Sequence, residues 1–143
     1  MDLFRALDIS ASGLAAQRAR MDVIAENLAN SETTLTATGA AYRRKAVLLE
    51  AMDGRAFPAI LRPQGAADGG VQVTRVMETL DAPRRVHEPG HPQAGPDGFV
   101  TFPNVNPLTE MVDMLATTRA YEANATAFQA AKSMGAKLLE LLR

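Results

Sequence analysis

The 143-residue chain has no cysteine, which removes disulfides, thiolate metal sites and thiol nucleophiles from consideration. It has no tryptophan, and aromatic residues make up only 5% of it, so a core must be built from Ala, Leu, Val and Met. Charge of one sign is also lacking. Fifteen basic residues against 16 acidic ones leave a formal net charge of −1, which offers no electrostatic footprint for nucleic acid or an anionic membrane. Long apolar runs are missing too. Asp2, Arg5, Asp8, Arg18, Arg20 and Asp22 punctuate the first residues, where a cleavable signal peptide needs an apolar stretch. No segment reaches the ~18 consecutive apolar residues of a membrane-spanning helix. If the protein leaves the cytosol, a route other than a cleaved signal is expected to carry it.

What is present suffices for a core: 47% of the residues are apolar, so wholesale disorder is excluded. The organising stretch is 106–143. Pro107 suits the first helical position, where a missing N–H costs nothing, and Asn106 is a good cap. Neither Gly nor Pro follows until Gly135, which predicts one rod of about 36 residues and roughly 54 Å. Met114, Tyr121, Phe128, Gly135 and Leu142 recur at every seventh residue, the period of a supercoiling seam. Residues 2–30 carry a matching stripe of Leu7, Leu14, Met21 and Leu28. This second helix is expected to stop near Asn30, a residue that tolerates the left-handed capping conformation.

Both helices are rich in alanine outside these stripes, as at Ala11, Ala15, Ala25, Ala116, Ala120, Ala123 and Ala127. Alanine has the best helix propensity, which accounts for some of this. Small side chains also let other helices approach on several sides, and one partner helix covers only one stripe. That imbalance points to other copies of the chain.

Residues 31–106 hold most of the Pro and Gly. Candidate strands are 42–50, 57–62, 71–76 and 99–102, with loose loops expected at 63–70 and 87–98. The expected fold is mainly α with a β-rich insertion. Two long antiparallel terminal helices form a coiled-coil-like pair, with 1–30 and 107–143 as a discontinuous helical domain and 31–106 as the insertion. Connectivity puts both chain ends together and the β-rich part at the opposite end.

No motif carries chemistry. His87 and His91 flank Pro89-Gly90, so the helical two-histidine metal geometry is ruled out, and no further ligands complete a site. Arg43-Arg44-Lys45 reads as a solvated strand edge, or as a contact to an acidic patch on a neighbour. The run from Gly65 to Gly70 lacks the Lys-Ser/Thr of a phosphate loop. Arg119 and Glu122 can pair at i,i+3. No catalytic, cofactor or metal residues are expected, and the chain reads as non-enzymatic.

Ser12-Gly13-Leu14-Ala15-Ala16-Gln17-Arg18 followed by Glu26-Asn27-Leu28-Ala29-Asn30 resembles the N-terminal signature of the bacterial flagellar rod and hook axial-protein family. Arg119-Ala120-Tyr121-Glu122-Ala123-Asn124 resembles its C-terminal signature. Within that family, Thr33-Thr34-Leu35-Thr36 with Gly39, then Tyr42-Arg43-Arg44-Lys45, looks like the proximal rod members. Pro89-Gly90-His91-Pro92-Gln93-Ala94 and Asp97-Gly98-Phe99-Val100 add to this likeness, as does Pro103-Asn104-Val105-Asn106. Ala40-Ala41 stands where those members often have Gly-Pro.

The resemblance implies a structural subunit of the flagellar basal-body rod, a periplasmic drive shaft around the export channel. Such a subunit is exported by the flagellar type III apparatus without signal cleavage and assembles helically with copies of itself and other rod proteins. It also implies that Asn27, Leu28, Ala29, Asn30, Arg119, Tyr121, Glu122 and Asn124 are family-motif positions. The alternatives are another rod or hook protein, or a soluble coiled-coil adaptor or chaperone.

Overall fold

Two long helices frame the residues described by the computed structural model, 3–52 and 69–141. Helix α1 spans Leu3–Ala29 and helix α2 spans Pro107–Leu141. Asn106 caps α2 as its residue type suggests: its Oδ1 accepts the Leu108 N–H at 3.0 Å and its carbonyl accepts the Glu110 N–H at 3.1 Å. Pro107 occupies the first turn, where no intrahelical donor is needed. Gly135 does not interrupt the rod.

The end of α1 differs from expectation. Among the described residues no non-glycine has a positive φ, so Asn30 is not left-handed. Instead its N–H and its Nδ2 both donate to the Glu26 carbonyl, at 3.1 and 2.9 Å. Ser31 repeats the arrangement on the Leu28 carbonyl, at 3.3 Å through N–H and 2.9 Å through Oγ. Side-chain donors thus reinforce two of the last carbonyls, those of Glu26 and Leu28, in place of a left-handed cap.

The helices are antiparallel and keep one register along their length. Leu3 lies over Gly135, where a Cβ would sit 2.7 Å from Leu3 Cδ2. Gly13 faces Asn124, the Thr118 hydroxyl reaches Met21 Sδ at 3.8 Å, and Asn27 bonds Glu110. Each step forward in α1 is matched by an equal step back in α2.

Between them lie two antiparallel hairpins. Strand β1 (Lys45–Ala51) pairs with β2 (Val71–Glu78), with a register shift at Leu48/Leu49; β3 (Arg84–His87) pairs with β4 (Phe99–Phe102). Strand β1 starts three residues later than the sequence suggests, because the Tyr42 N–H is tied to the Thr33 carbonyl at 3.1 Å. Strand β3 went unanticipated, and 88–98 is no loose loop. Its amides close turns from Glu88 to Gly98 at 2.9 Å, His91 to Glu88 at 3.1 Å and Ala94 to His91 at 2.9 Å. The candidate strand at 57–62, and nearly all of the loop expected at 63–70, lie outside the described residues.

The first hairpin also corrects the expected layout. It does not stand at the far end of the helix pair but folds back along α1. Lys45 pairs with Asn27 at one end of this contact, and at the other the Val71 N–H donates to Ser12 Oγ at 3.1 Å. The Ser12 hydroxyl gives β2 an anchor on α1 that connectivity alone does not predict. The core that results is small: Ala16, Val23, Ile24, Tyr42, Val100, Val105 and Ala131.

Candidate functional site

Asn27 sits on the helical face of α1 that also buries Ala16, Val23 and Ile24, and it is only 1% exposed. An amide there must find partners for two donors and two acceptors, or lose the free energy of each unmet bond. It finds all of them. Oδ1 accepts the Lys45 N–H at 2.8 Å and the Tyr42 hydroxyl at 2.9 Å; Nδ2 donates to the Lys45 carbonyl at 2.8 Å and to Glu110 Oε2 at 3.1 Å. Bonding both main-chain groups of Lys45, the side chain acts as a one-residue strand partner at the start of β1.

Glu110, also 1% exposed, brings α2 into the same cluster. Arg44 Nε donates to its Oε1 at 2.7 Å, and Arg44 reaches Asp113 at 3.8 Å. Lys45 Nζ pairs with Glu26 and lies 5.8 Å from the centre of the Tyr42 ring. The carboxylate therefore has two hydrogen bonds and a cation beside it, the condition under which a buried charge is tolerated. Burial pushes the Tyr42 hydroxyl up to about 12, helped by the nearby Glu26, Glu110 and Glu78 carboxylates. The junction ties α1, the entry to β1 and the first turn of α2 at one point.

Two expectations change here. Arg44 and Lys45 are neither a solvated edge nor reaching for a neighbour, because the acidic groups they meet are in the same chain. Arg119 and Glu122 are both exposed and do not pair with each other.

Of the stripe residues, Leu7, Leu14, Met21, Leu28, Met114, Tyr121 and Phe128 are half-buried, and Met21, Met114 and Tyr121 line one shallow groove. Leu142 lies outside the described residues. Among the motif positions Asn27 is buried, Leu28, Asn30, Tyr121 and Asn124 are half-buried, and Ala29, Arg119 and Glu122 face out. Sequence reasoning did not single out Glu110 as a site residue. The signal that could have found the junction was a lone Asn at helical spacing among Val23, Ile24 and Ala16.

The two histidines are engaged in local contacts. His87 packs edge-on to Phe99 at 5.0 Å, and His91 accepts the Gln93 N–H through Nδ1 at 3.1 Å. Among the described residues no three metal-ligating side chains converge. A cleft of about 510 Å³ between the 34–44 segment and the second hairpin is lined by Arg85, Asp97 and Phe99 among others, but Arg85 is paired to Asp97 at 2.6 Å. No described helix is long and apolar enough to cross a membrane. The outer face of α2 is apolar instead. Leu108, Met111, Val112 and Leu115 are half to three-quarters exposed at i, i+3, i+4 and i+7, and Leu138, Leu139 and Leu141 are also exposed near the other end.

Similarity to known proteins covers the whole chain. The family described as "Flagella basal body rod protein" matches residues 7–34, and "Flagellar basal body rod FlgEFG protein C-terminal" matches residues 97–141. The flagellar basal-body rod protein FlgC of Bacillus subtilis is 44% identical over 149 aligned positions, covering 99% of each chain. Its Salmonella typhimurium counterpart is 39% identical over 141 positions, covering 99% of this chain and 98% of its own. That of Borreliella burgdorferi is 35% identical over 153 positions, covering 100% and 99%.

Proposed function

Because the chain belongs to the FlgC family of flagellar basal-body rod proteins, we propose that its paired terminal helices form the inner layer of a helical tube. The chain is a structural subunit of that rod, and the family assembles with other flagellar rod proteins. In the proposed arrangement, 1–30 with 107–143 surround the export channel, and 31–106 makes the outer contacts. The tube crosses the periplasm and transmits torque, and its subunits arrive through the flagellar type III apparatus without signal cleavage. The chain itself catalyses nothing.

The observation that carries this reading is the apolar face of α2. Leu108, Met111, Val112 and Leu115 keep half or more of their surface uncovered among the described residues. A stripe of that size on a free helix is unfavourable in water, and neighbouring subunits of a filament cover it. Head-to-tail contacts that never close on themselves extend such an assembly without limit.

The test is to crowd the outer surface. Ala127 is exposed and Ala120 half-buried. Ala127→Leu is expected to leave the unfolding of the single chain within about 0.5 kcal/mol of the parent, yet to abolish swimming and rod completion. Leu108→Glu with Leu115→Glu is expected to do the same. Full motility of cells carrying either variant refutes multi-sided packing.

A further inference from the structure

We propose that the Asn27–Glu110 contact is a register key, the interaction that separates the observed alignment of α1 and α2 from alignments slipped by one turn. The inference concerns the folding of a single chain and does not depend on its place in a rod.

The remainder of the seam discriminates poorly. It consists mostly of half-buried Leu, Met and aromatic side chains at regular spacing, with alanines between them; its two close approaches, Leu3 over Gly135 and Asn124 over Gly13, are made by the ends of flexible side chains that can turn aside. Apolar contact is non-directional, so a slip of four residues, about 6 Å along the axis, exchanges one such contact for another. Leu3, now over Gly135, meets Ala131 after a slip in one direction. Met21, now beside Thr118, meets Met114. Neither exchange leaves a polar group stranded.

The polar contact behaves differently, because both of its partners are held from elsewhere. Asn27 is fixed by the main chain of Lys45 and the hydroxyl of Tyr42, and Glu110 is held by Arg44. Arg44 and Lys45 are consecutive residues, so the two helices are measured against the same piece of backbone. After the same slip, Asn27 faces Asn106 or Met114, Glu110 leaves Arg44, and a carboxylate that is 1% exposed has lost both its donors. Removing one partner from a buried pair is far costlier than exchanging apolar contacts, and a single buried amide is known to set register in helix pairs.

The chain has no cysteine of its own, so introduced pairs report alignment cleanly. A Cβ at Gly13 lies 3.3 Å from Asn124 Cγ, close enough for Gly13→Cys with Asn124→Cys to form a disulfide in the observed register. Gly13→Cys paired with Ala120→Cys or with Phe128→Cys reports a four-residue slip in either direction. Each pair is placed in the full-length chain with Glu110 intact, with Glu110→Leu and with Glu110→Gln, and oxidised in cells.

The intact chain is expected to link 13 to 124 and neither slipped pair. Glu110→Leu is expected to reduce the 13–124 product several-fold and to produce a slipped one. Glu110→Gln keeps one of the two acceptor oxygens and sets an NH2 against the other donor, so its yield of the 13–124 product should fall between those of the intact chain and Glu110→Leu. If Glu110→Leu links only 13 to 124, the β4–α2 connection sets the register and the proposal is overturned. Linking at no pair in Glu110→Leu, or slipped products from the intact chain, overturns it as well.

Discussion

Replacing Asn27 by Ala removes four hydrogen bonds at a site 1% exposed. Each is worth about 0.5–1.5 kcal/mol net, and a buried group left without a partner costs more. The Lys45 N–H and carbonyl cannot move to water without unpairing the start of β1. The Tyr42 hydroxyl can turn only partly outward, since the residue is 8% exposed. A loss of roughly 4 kcal/mol follows, a large part of the 5–15 kcal/mol that stabilises an ordinary domain. Asn30→Ala is the control. It has the same chemistry three residues on, but its Nδ2 donates only to the Glu26 carbonyl and its Oδ1 accepts only the Thr33 hydroxyl, both local and part-buried, so its cost is about 1–2 kcal/mol. Urea unfolding of the full chain, followed by far-ultraviolet circular dichroism, measures both.

Asn27→Asp sharpens the prediction. The carboxylate still accepts from Tyr42 and Lys45, but it cannot donate to Glu110, and it sets a second negative charge beside that residue. Folding then raises the affinity of this pair for a proton above its unfolded value. The variant is therefore expected to gain stability as pH falls and to lose it as pH rises through the folded-state titration. An Asn27→Ala cost no greater than that of Asn30→Ala, or an Asn27→Asp chain without this pH dependence, refutes the account of the junction.

Tyr42, held at about 12 by burial and neighbouring carboxylates, makes folding favour the neutral phenol. Its contribution is intact below pH 10 and lost as pH rises toward 12. A late-rising phenolate absorbance should mark this titration, and Tyr42→Phe should abolish that component; its persistence in the variant would show that another group is responsible. Gly98 and Gly39 offer a paired test of backbone strain, since both have positive φ, 73° and 80°. At Gly39 nothing lies within 4 Å of an added Cβ, whereas at Gly98 the His87 Nε2 is 3.0 Å away. Gly39→Ala should cost about 1 kcal/mol and Gly98→Ala more, as read from urea midpoints; equal costs would show that the β3–β4 turn yields freely to His87.

The helices were legible because their evidence is local: seven-residue spacing, a Pro at the first position, an Asn before it. The cap at Asn106 is formed as residue type foretold. The far end of α1 was misread because Asn30 has two ways to finish a helix, and its side chain took the one that composition does not specify. Strand β3 was missed since Arg84-Arg85-Val86-His87 has only one apolar residue, and its pairing partner β4 lies 12 residues or more away in sequence. The fold-back of the first hairpin along α1 depends on Ser12 and on the Asn27–Lys45 bonds, neither of which periodicity encodes. The polar junction was half visible. Asn27 stood out as a motif position, but that its amide serves a strand and a second helix at once is a property of three segments that only folding brings together.

Burial along the helix pair is uneven, and this bears on how a subunit enters an assembly. In α1 the buried residues run from Ala16 to Asn27, and in α2 they are Glu110, Thr117 and, well separated, Ala131. The polar junction, with the Lys45 main-chain bonds that start the first hairpin, falls in the half of the pair that holds Asn27 and Glu110. Past Gly13 and Asn124 the far end of that hairpin is tied to α1 through the Val71 N–H and Ser12, while Phe4, Met134, Leu138, Leu139 and Leu141 stay exposed. Local stability follows contact density, so the junction half can hold its shape in a lone chain while the other half gains most from a neighbour. A slip of register would send its error toward that weaker half, where no polar contact corrects it. Placing the key at Asn27 and Glu110 therefore fixes, before any neighbour arrives, which apolar side chains of the far half face outward together, and so which surface a second subunit meets.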